Sequence, residues 1–468
     1  MCFAKSDIGK EINHLKRRIK IMADLTISGE FASFVERTTL KDIPEETVQF
    51  TKSLALKTLA GMIAGSSTKA SKPLLDYAKE DNHVQEAGVL GSGFSCSIEK
   101  AILANGHFCH AAELEDDQFP SVTSDITVFP VIFPMAEKYG LSGKDVVEAS
   151  AVAMEAMNRI GMFSLAYRGM TDLAFFGVIG AAVAAAKGLK LNKEQIANAI
   201  GIAVGRAGGY IANFGTDAHY LESSMVCRDG YYAALMAQKG LTGTVDIEGW
   251  LKDLHGQKDL PIEKITDGLG KEKWHVHNIW VKKYPCCFLT HRQIDMMIDM
   301  KEKYGLTPEN VKHVEIDAGP IDATCDRPKP KHVEDSRFSF QHIVASILTD
   351  GDIGYDSFTD QKVISLELSK VREKVTVTRQ DSWPVEFNSG VARIVVTMTD
   401  GTVYEEKLEQ PLGGSKRPLT EEQFISLYIK YTGNFFKGEL ADKTARMILD
   451  IDKYDNISKL MNMLVSGE

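Results

Sequence analysis

The chain has 468 residues, more than one hydrophobic core usually supports, so two domains are expected. Hydrophobic residues at 44%, charged residues at 25% and a formal net charge of −10 describe an ordinary globular protein, and argue against nucleic-acid binding or a basic membrane-surface protein. Seven cysteines with no CxxC pair point to reduced thiols in a cytoplasmic protein, and no apolar run reaches the roughly 18 residues of a membrane helix.

Residues 1–24 begin the chain with Lys5, Lys10, Lys16, Arg17, Arg18 and Lys20 but without the apolar core of a signal peptide, and read as a flexible extension. From about residue 43 to 236 the pattern is helical. Val48, Leu54, Leu56, Leu59 and Met62 give residues 45–63 a buried face. Residues 105–117 (NGHFCHAAELEDD) pack two histidines, a thiol and four carboxylates among apolar residues. If this segment is helical, His110, Glu113, Leu114 and Asp117 share a face, so the acids point where the apolar residues point. Buried ionisable groups are costly unless paired or used, which favours an active-site wall.

Ser142 with Asp145, and Asn192 with Gln195, resemble helix starts. Residues 175–186, dense in alanine and glycine, read as a close-packed buried helix. The glycines of 200–209 lack the preceding strand that a dinucleotide loop needs and read as helix-packing residues. Arg206 among them either pairs with a buried acid or clamps a substrate carboxylate. His107, Cys109, His110, His275 and His277 match no zinc spacing, and no metal is expected.

After about residue 278 the character changes. Residues 311–317 alternate as a half-buried strand should, 374–378 are β-branched, and Asp400-Gly401 supplies the turn of a hairpin. Helices over 290–304 and 342–348 interleave with them. Thr420 with Gln423 then starts a further helix, and helical character runs to the end. The fold expected is mainly α: a large all-helical domain over 25–277 and 415–468, with a smaller α+β domain inserted at 278–414. The segment from Lys282 through Tyr284 and Pro285 to His291 lies where the two meet. Pro285 fixes its backbone, so a basic side chain could be held over an interdomain cleft, while Cys286 and Cys287 read as packed thiols.

Several of these motifs, in order, resemble those of the MmgE/PrpD family. They are the Asn-Gly-x-x-x-His element with its acid run at 105–117, the Phe176-Gly177 segment, the stretch over 225–243, Lys282-Lys-Tyr-Pro-Cys-Cys287, and Phe338-Ser339. The resemblance spans roughly residues 25–468. It implies a helical domain with a smaller lid domain, a homodimer, no cofactor, and an active site in the cleft between domains. Some family positions differ here: an aspartate falls on Glu113, a threonine on Asp117, histidines on Thr123 and Thr171, and a lysine near His219. Lys282 is unchanged.

The expected activity is a cofactor-independent lyase of the dehydratase or hydratase type acting on a small di- or tricarboxylic acid. Lys282, His219, Glu113 and Asp117 are the catalytic candidates. Arg206, His110, Thr123, Thr171, Tyr284 and His291 are the substrate-binding candidates. Two adjacent acids repel, which raises one of them toward the working range of a proton carrier. The alternatives are an epimerase of an imino- or amino-dicarboxylate, and a non-catalytic anion binder.

Overall fold

Local signals start most of the helices. The Thr26 side chain accepts the Gly29 N–H at 3.1 Å and caps α1 (Ile27–Arg37). α2 (Glu45–Ser66) is buried on most of its circumference. A two-stranded hairpin, β1 (Ala87–Val89) and β2 (Phe94–Cys96), leads into α3 (Ile98–Ala111). α4 (Asp125–Tyr139) continues through Pro130 and Pro134. The anticipated capping boxes at Ser142 and Asn192 start α5 (Gly143–Ile160) and α7 (Lys193–Ala203). Between them runs α6 (Asp172–Gly188), buried all round. α8 (Asp217–Gln238) lies so close to α6 that a Cβ at Gly230 would sit 2.4 Å from Ala181 Cβ, which is why a glycine stands there. The computed structural model describes residues 26–119, 122–271 and 273–468. The expectation for residues 1–24 lies outside the described residues.

A short antiparallel pair then ties the two parts of the chain together. β3 (Asp117–Gln118) pairs with β4 (Ile279–Trp280), Asp117 opposite Trp280, bringing the acid run beside the segment that leads to Lys282. Beyond it, α9 (His291–Tyr304) and α10 (Phe340–Asp350) pack on a four-stranded sheet of order β6-β5-β7-β8. These strands are β5 (Val311–Ala318), β6 (Val375–Arg379), β7 (Ala392–Met398) and β8 (Val403–Leu408). β5 and β6 are parallel, with α10 in the crossover between them, while β7 and β8 form the hairpin, with Gly401 at φ 92° in its turn. β7 alternates buried and half-buried residues, whereas β8 is the exposed edge.

The protein is therefore mainly helical with a smaller α+β part. Its apolar side chains form two large cores. One gathers residues from Ile27 to Val281 and takes in Phe424, Tyr428, Ile448 and Leu464 of α11 (Glu421–Thr432), α12 (Leu440–Leu449) and α13 (Ser458–Ser466). The other, apart from Ala166, runs from Tyr284 to Met398 and fills the space around the four-stranded sheet. The C-terminal helices thus return to the first core, α11 lying against α2. None of the described helices is long and apolar enough to cross a membrane.

Candidate active site

The acid run does not continue as a helix, and the expectation that His110, Glu113, Leu114 and Asp117 share one helical face is overturned. α3 stops at Ala111. Glu113 donates its N–H to the carbonyl of His110 at 2.9 Å and takes a left-handed backbone, φ 54°. That conformation costs a β-carbon-bearing residue about 1 kcal/mol, so something must hold it. The holding group is Lys282. Its ammonium lies 3.2 Å from Glu113 Oε2 and 3.4 Å from the Glu113 carbonyl, and it also pairs with Glu115. Lys282 itself is 1% exposed, so this is a buried charge cluster.

Past the turn, side chains alternate as an extended chain requires. Glu113, Glu115 and Asp117 face one way into a cavity of about 80 Å³, while Asp116 faces the other. Asp116 is buried in an ion pair with Lys57 of α2 and accepts the Lys282 backbone N–H at 2.9 Å. Asp125, at the start of α4, accepts the Asp116 N–H at 3.1 Å and the Thr58 hydroxyl at 2.9 Å. Asp116 and Asp125 thus fasten the loop, and the other three carboxyls are left for the cavity.

The opposite wall comes from α3 and α8. The His110 and His219 rings meet edge to face with centroids 4.3 Å apart, and Phe214 packs on His219 at 4.6 Å. Glu222, one helical turn on, lies 3.4 Å from His219 Nδ1 and collects the Asn213 amide at 2.7 Å, the Tyr210 N–H at 3.1 Å and the Thr171 hydroxyl at 3.2 Å. Thr123 donates its hydroxyl to Asp117. Asp172 also lines the cavity, accepting the Ser164 hydroxyl and the Leu165 N–H, both at 2.6 Å. Cys287, Phe288, Leu289, Phe338 and Phe387, from the later part of the chain, close the cavity.

The electrostatics follow from burial. Burial, with Glu115 beside it, raises Glu113 against the pull of Lys282. Burial pushes Asp117 up to about 7, with Lys282 and the Thr123 hydroxyl opposing and Glu115 reinforcing. Burial also takes Asp172 to about 7, despite its two hydrogen bonds. Burial alone would lower Lys282, but Glu115, Glu113 and Asp117 more than reverse it, so its ammonium stays charged. Burial, aided by His219 and Lys282, holds His110 well below the usual imidazole range and keeps it neutral. Burial would raise Glu222, yet His219 and Asn213 outweigh it and keep it an anion. Among the described residues, Glu113 Oε1, Glu115 Oε2 and His110 Nδ1 are buried without a hydrogen-bond partner. Three unpartnered titratable side chains converging on one cavity fit a place built for a polar ligand.

Of the residues picked from sequence, Glu113, Asp117, His110, His219, Thr123 and Thr171 line this cavity, and Lys282 pairs with its carboxylates. Three do not come to it. Arg206 is 57% exposed and pairs with the half-buried Asp229 at 2.9 Å, because its short 3₁₀ turn leaves it on the surface; it pairs with an acid, but not in the buried setting expected. Tyr284 donates its hydroxyl to Asp295 at 2.9 Å, inside the second core. His291 stacks behind Phe288 with centroids 4.6 Å apart, one layer back from the cavity. Sequence reasoning passed over Glu115, Asp172 and Glu222 as site residues, and read Cys287, which lies in the cavity wall, as a packed thiol. The period-two spacing 113, 115, 117 would have signalled Glu115 had the run been read as extended.

A larger cavity of about 810 Å³ lies beyond Arg337, between the two cores. Its wall carries Lys69, Asp217, His332, Glu334, Arg337 and Asp360, whereas the Lys282 cluster with its carboxyls and the His110 and His219 imidazoles gathers at the smaller one.

Comparison with known proteins matches residues 29–259 to the MmgE/PrpD N-terminal domain and residues 284–453 to the MmgE/PrpD C-terminal domain. The chain is 26% identical to the cis-aconitate decarboxylase-like protein oryM of Aspergillus oryzae, covering 94% of this chain and 98% of that protein. It is 24% identical to the cis-aconitate decarboxylase of Mus musculus, with 94% of each chain covered. It is also 24% identical to that of Aspergillus terreus, over 94% of this chain and 96% of the relative.

Proposed function

Because the chain belongs to the MmgE/PrpD family, we propose that it is a lyase of the dehydratase or decarboxylase type, acting on a small di- or tricarboxylic acid by acid–base chemistry alone. The observation that carries this reading is the buried Lys282 ammonium among carboxyls that line one cavity with two imidazoles. A substrate carboxylate competes with Glu115 for Lys282. Once held there, negative charge developing next to that carboxylate is stabilised by a cation in a dry site, where the interaction is strongest. His219 is oriented through Nδ1 by Glu222, so Nε2 is the nitrogen offered to a substrate; it takes or returns the proton on carbon. Asp117, half-protonated near neutrality, serves the leaving group or the second proton position. A surplus of carboxyls around an anionic substrate is tolerable because Glu113 and Asp117 are both driven toward their neutral forms. A cavity of about 80 Å³ is too small for a tricarboxylic acid, so the domains must part to load it.

An epimerase is the second reading. His110 and His219 stand on one wall and Asp117 on the other, the arrangement a two-base proton relay at one carbon needs, and Thr123 and Thr171 occupy positions where the family resemblance places histidines. Incubation of a panel of di- and tricarboxylic acids in D2O, followed by proton NMR, separates the two. A new alkene or a lost carboxyl group supports the lyase. Deuterium at the α-carbon with no other change supports the epimerase, and no exchange or turnover with any acid removes both.

A further inference from the structure

Among the described residues, Cys287 and Cys325 are two thiols that the proposed chemistry leaves unused yet the fold places together. Cys287 lies in the irregular segment between Lys282 and α9, is 6% exposed, and forms part of the cavity wall with Glu113 and Asp117. Cys325 ends a 3₁₀ turn after β5 and is fully buried in the second core. Its thiol donates to Cys287 Sγ at 3.9 Å, so the two sulfurs are in van der Waals contact although 38 positions apart. Cys286, next in sequence, points elsewhere and contacts the Thr290 hydroxyl at 3.5 Å. The Lys282 ammonium is close enough to Cys287 for the two to interact electrostatically. The hydrogen bond to Cys287 and then burial keep the proton on Cys325, which has no opening to the cavity, whereas the Cys287 sulfur forms part of the cavity wall. The pair is thus divided into an attacking sulfur open to the cavity and a resolving sulfur behind it.

We propose that Cys287 and Cys325 form a peroxide-oxidisable dithiol built into the wall of the catalytic cavity. The Cys287 sulfur gives up its proton and attacks one oxygen of hydrogen peroxide; the S–O bond forms, the O–O bond breaks, and the departing hydroxide takes that proton as water. The Cys325 sulfur then gives up its proton and attacks the Cys287 sulfur. The S–O bond breaks, the S–S bond forms, and the expelled hydroxide takes that proton as the second water. Two thiols lose two electrons in all, and one peroxide gains them. Joining the sulfurs draws Cys287 away from the cavity and pulls on the segment that carries Lys282, Phe288 and Leu289, so oxidation stops turnover. That consequence rests on the cavity being the active site; formation of the bond does not.

The test treats the full chain with hydrogen peroxide, blocks remaining thiols with N-ethylmaleimide under denaturing conditions, and maps the peptides by mass spectrometry. The expected result is a linked Cys287–Cys325 peptide pair, formed in step with loss of turnover and reversed with it by dithiothreitol. Cys325→Ala retains turnover, gives no linked pair, and accumulates a Cys287 sulfenic acid trapped by dimedone. Free Cys287 and Cys325 after peroxide treatment, or a Cys286–Cys287 bond instead, would overturn the proposal. Should the pair form while turnover of an identified substrate is unaffected, the dithiol stands and the assignment of the cavity as the active site fails.

Discussion

Replacing Asp117 with asparagine isolates the electrostatic cost of the site. In the unfolded chain this carboxyl titrates at 3.8, and in the fold at about 7. A carboxyl whose native value is raised favours the native state only while protonated. The penalty is absent below about pH 4, grows as pH rises to about 7, and is constant above that. Roughly three pH units at about 1.36 kcal/mol each make an upper limit of about 4 kcal/mol. Asp117 partly faces the cavity and shares Lys282 with Glu113 and Glu115, so about 2 kcal/mol is expected from the single replacement. Asparagine keeps an acceptor for the Thr123 hydroxyl and removes the charge. Asp117→Asn should therefore melt a few degrees above the wild type at about pH 8, with the gap narrowing steadily toward about pH 5. Calorimetry of both proteins across that range measures it. A gap independent of pH, or an asparagine variant that is the less stable at pH 8, would refute the reasoning.

Other changes follow from the same geometry. Arg206→Ala should leave turnover unchanged and shift stability by no more than about 0.5 kcal/mol, since its ion pair with Asp229 is exposed. Lys57→Met strands the buried Asp116 carboxyl and should cost about 3 kcal/mol by denaturant unfolding, part of which Asp116→Asn in the same chain restores. Glu222→Gln should lower kcat about tenfold or more with little change in melting temperature, because His219 loses its orienting anion. Gly230→Ala drives a methyl into Ala181 and the backbone of Ala182, and should cost about 1–3 kcal/mol in thermal unfolding.

Much of this was legible in the residues. Helix starts at Ser142, Asn192 and Thr420 declare themselves because a cap and its partner lie three positions apart, and strands β5 and β7 because one face is buried. The acid run was recognisable as a site, but its conformation was not. A helical reading puts Glu113 and Asp117 on one face by periodicity, whereas the actual turn at Glu113 depends on an ion pair with Lys282, 169 positions away. Local pattern carries no information about such a partner. Arg206 misled for the converse reason: small apolar neighbours in sequence suggested burial, yet they pack on the far side of a surface turn. Glu222 escaped notice because its importance lies wholly in the donors that the fold gathers around it.

The central claim is that Lys282 and the carboxyls around it form the reacting centre. It is tested most directly by steady-state kinetics of Lys282→Ala against the wild type on whichever carboxylic acid the D2O panel identifies, with circular dichroism confirming that the variant is folded. The predicted result is a fall in kcat/KM of about 100-fold or more, since a cation aimed at developing charge is lost. A folded Lys282→Ala protein with wild-type kcat/KM would contradict the account.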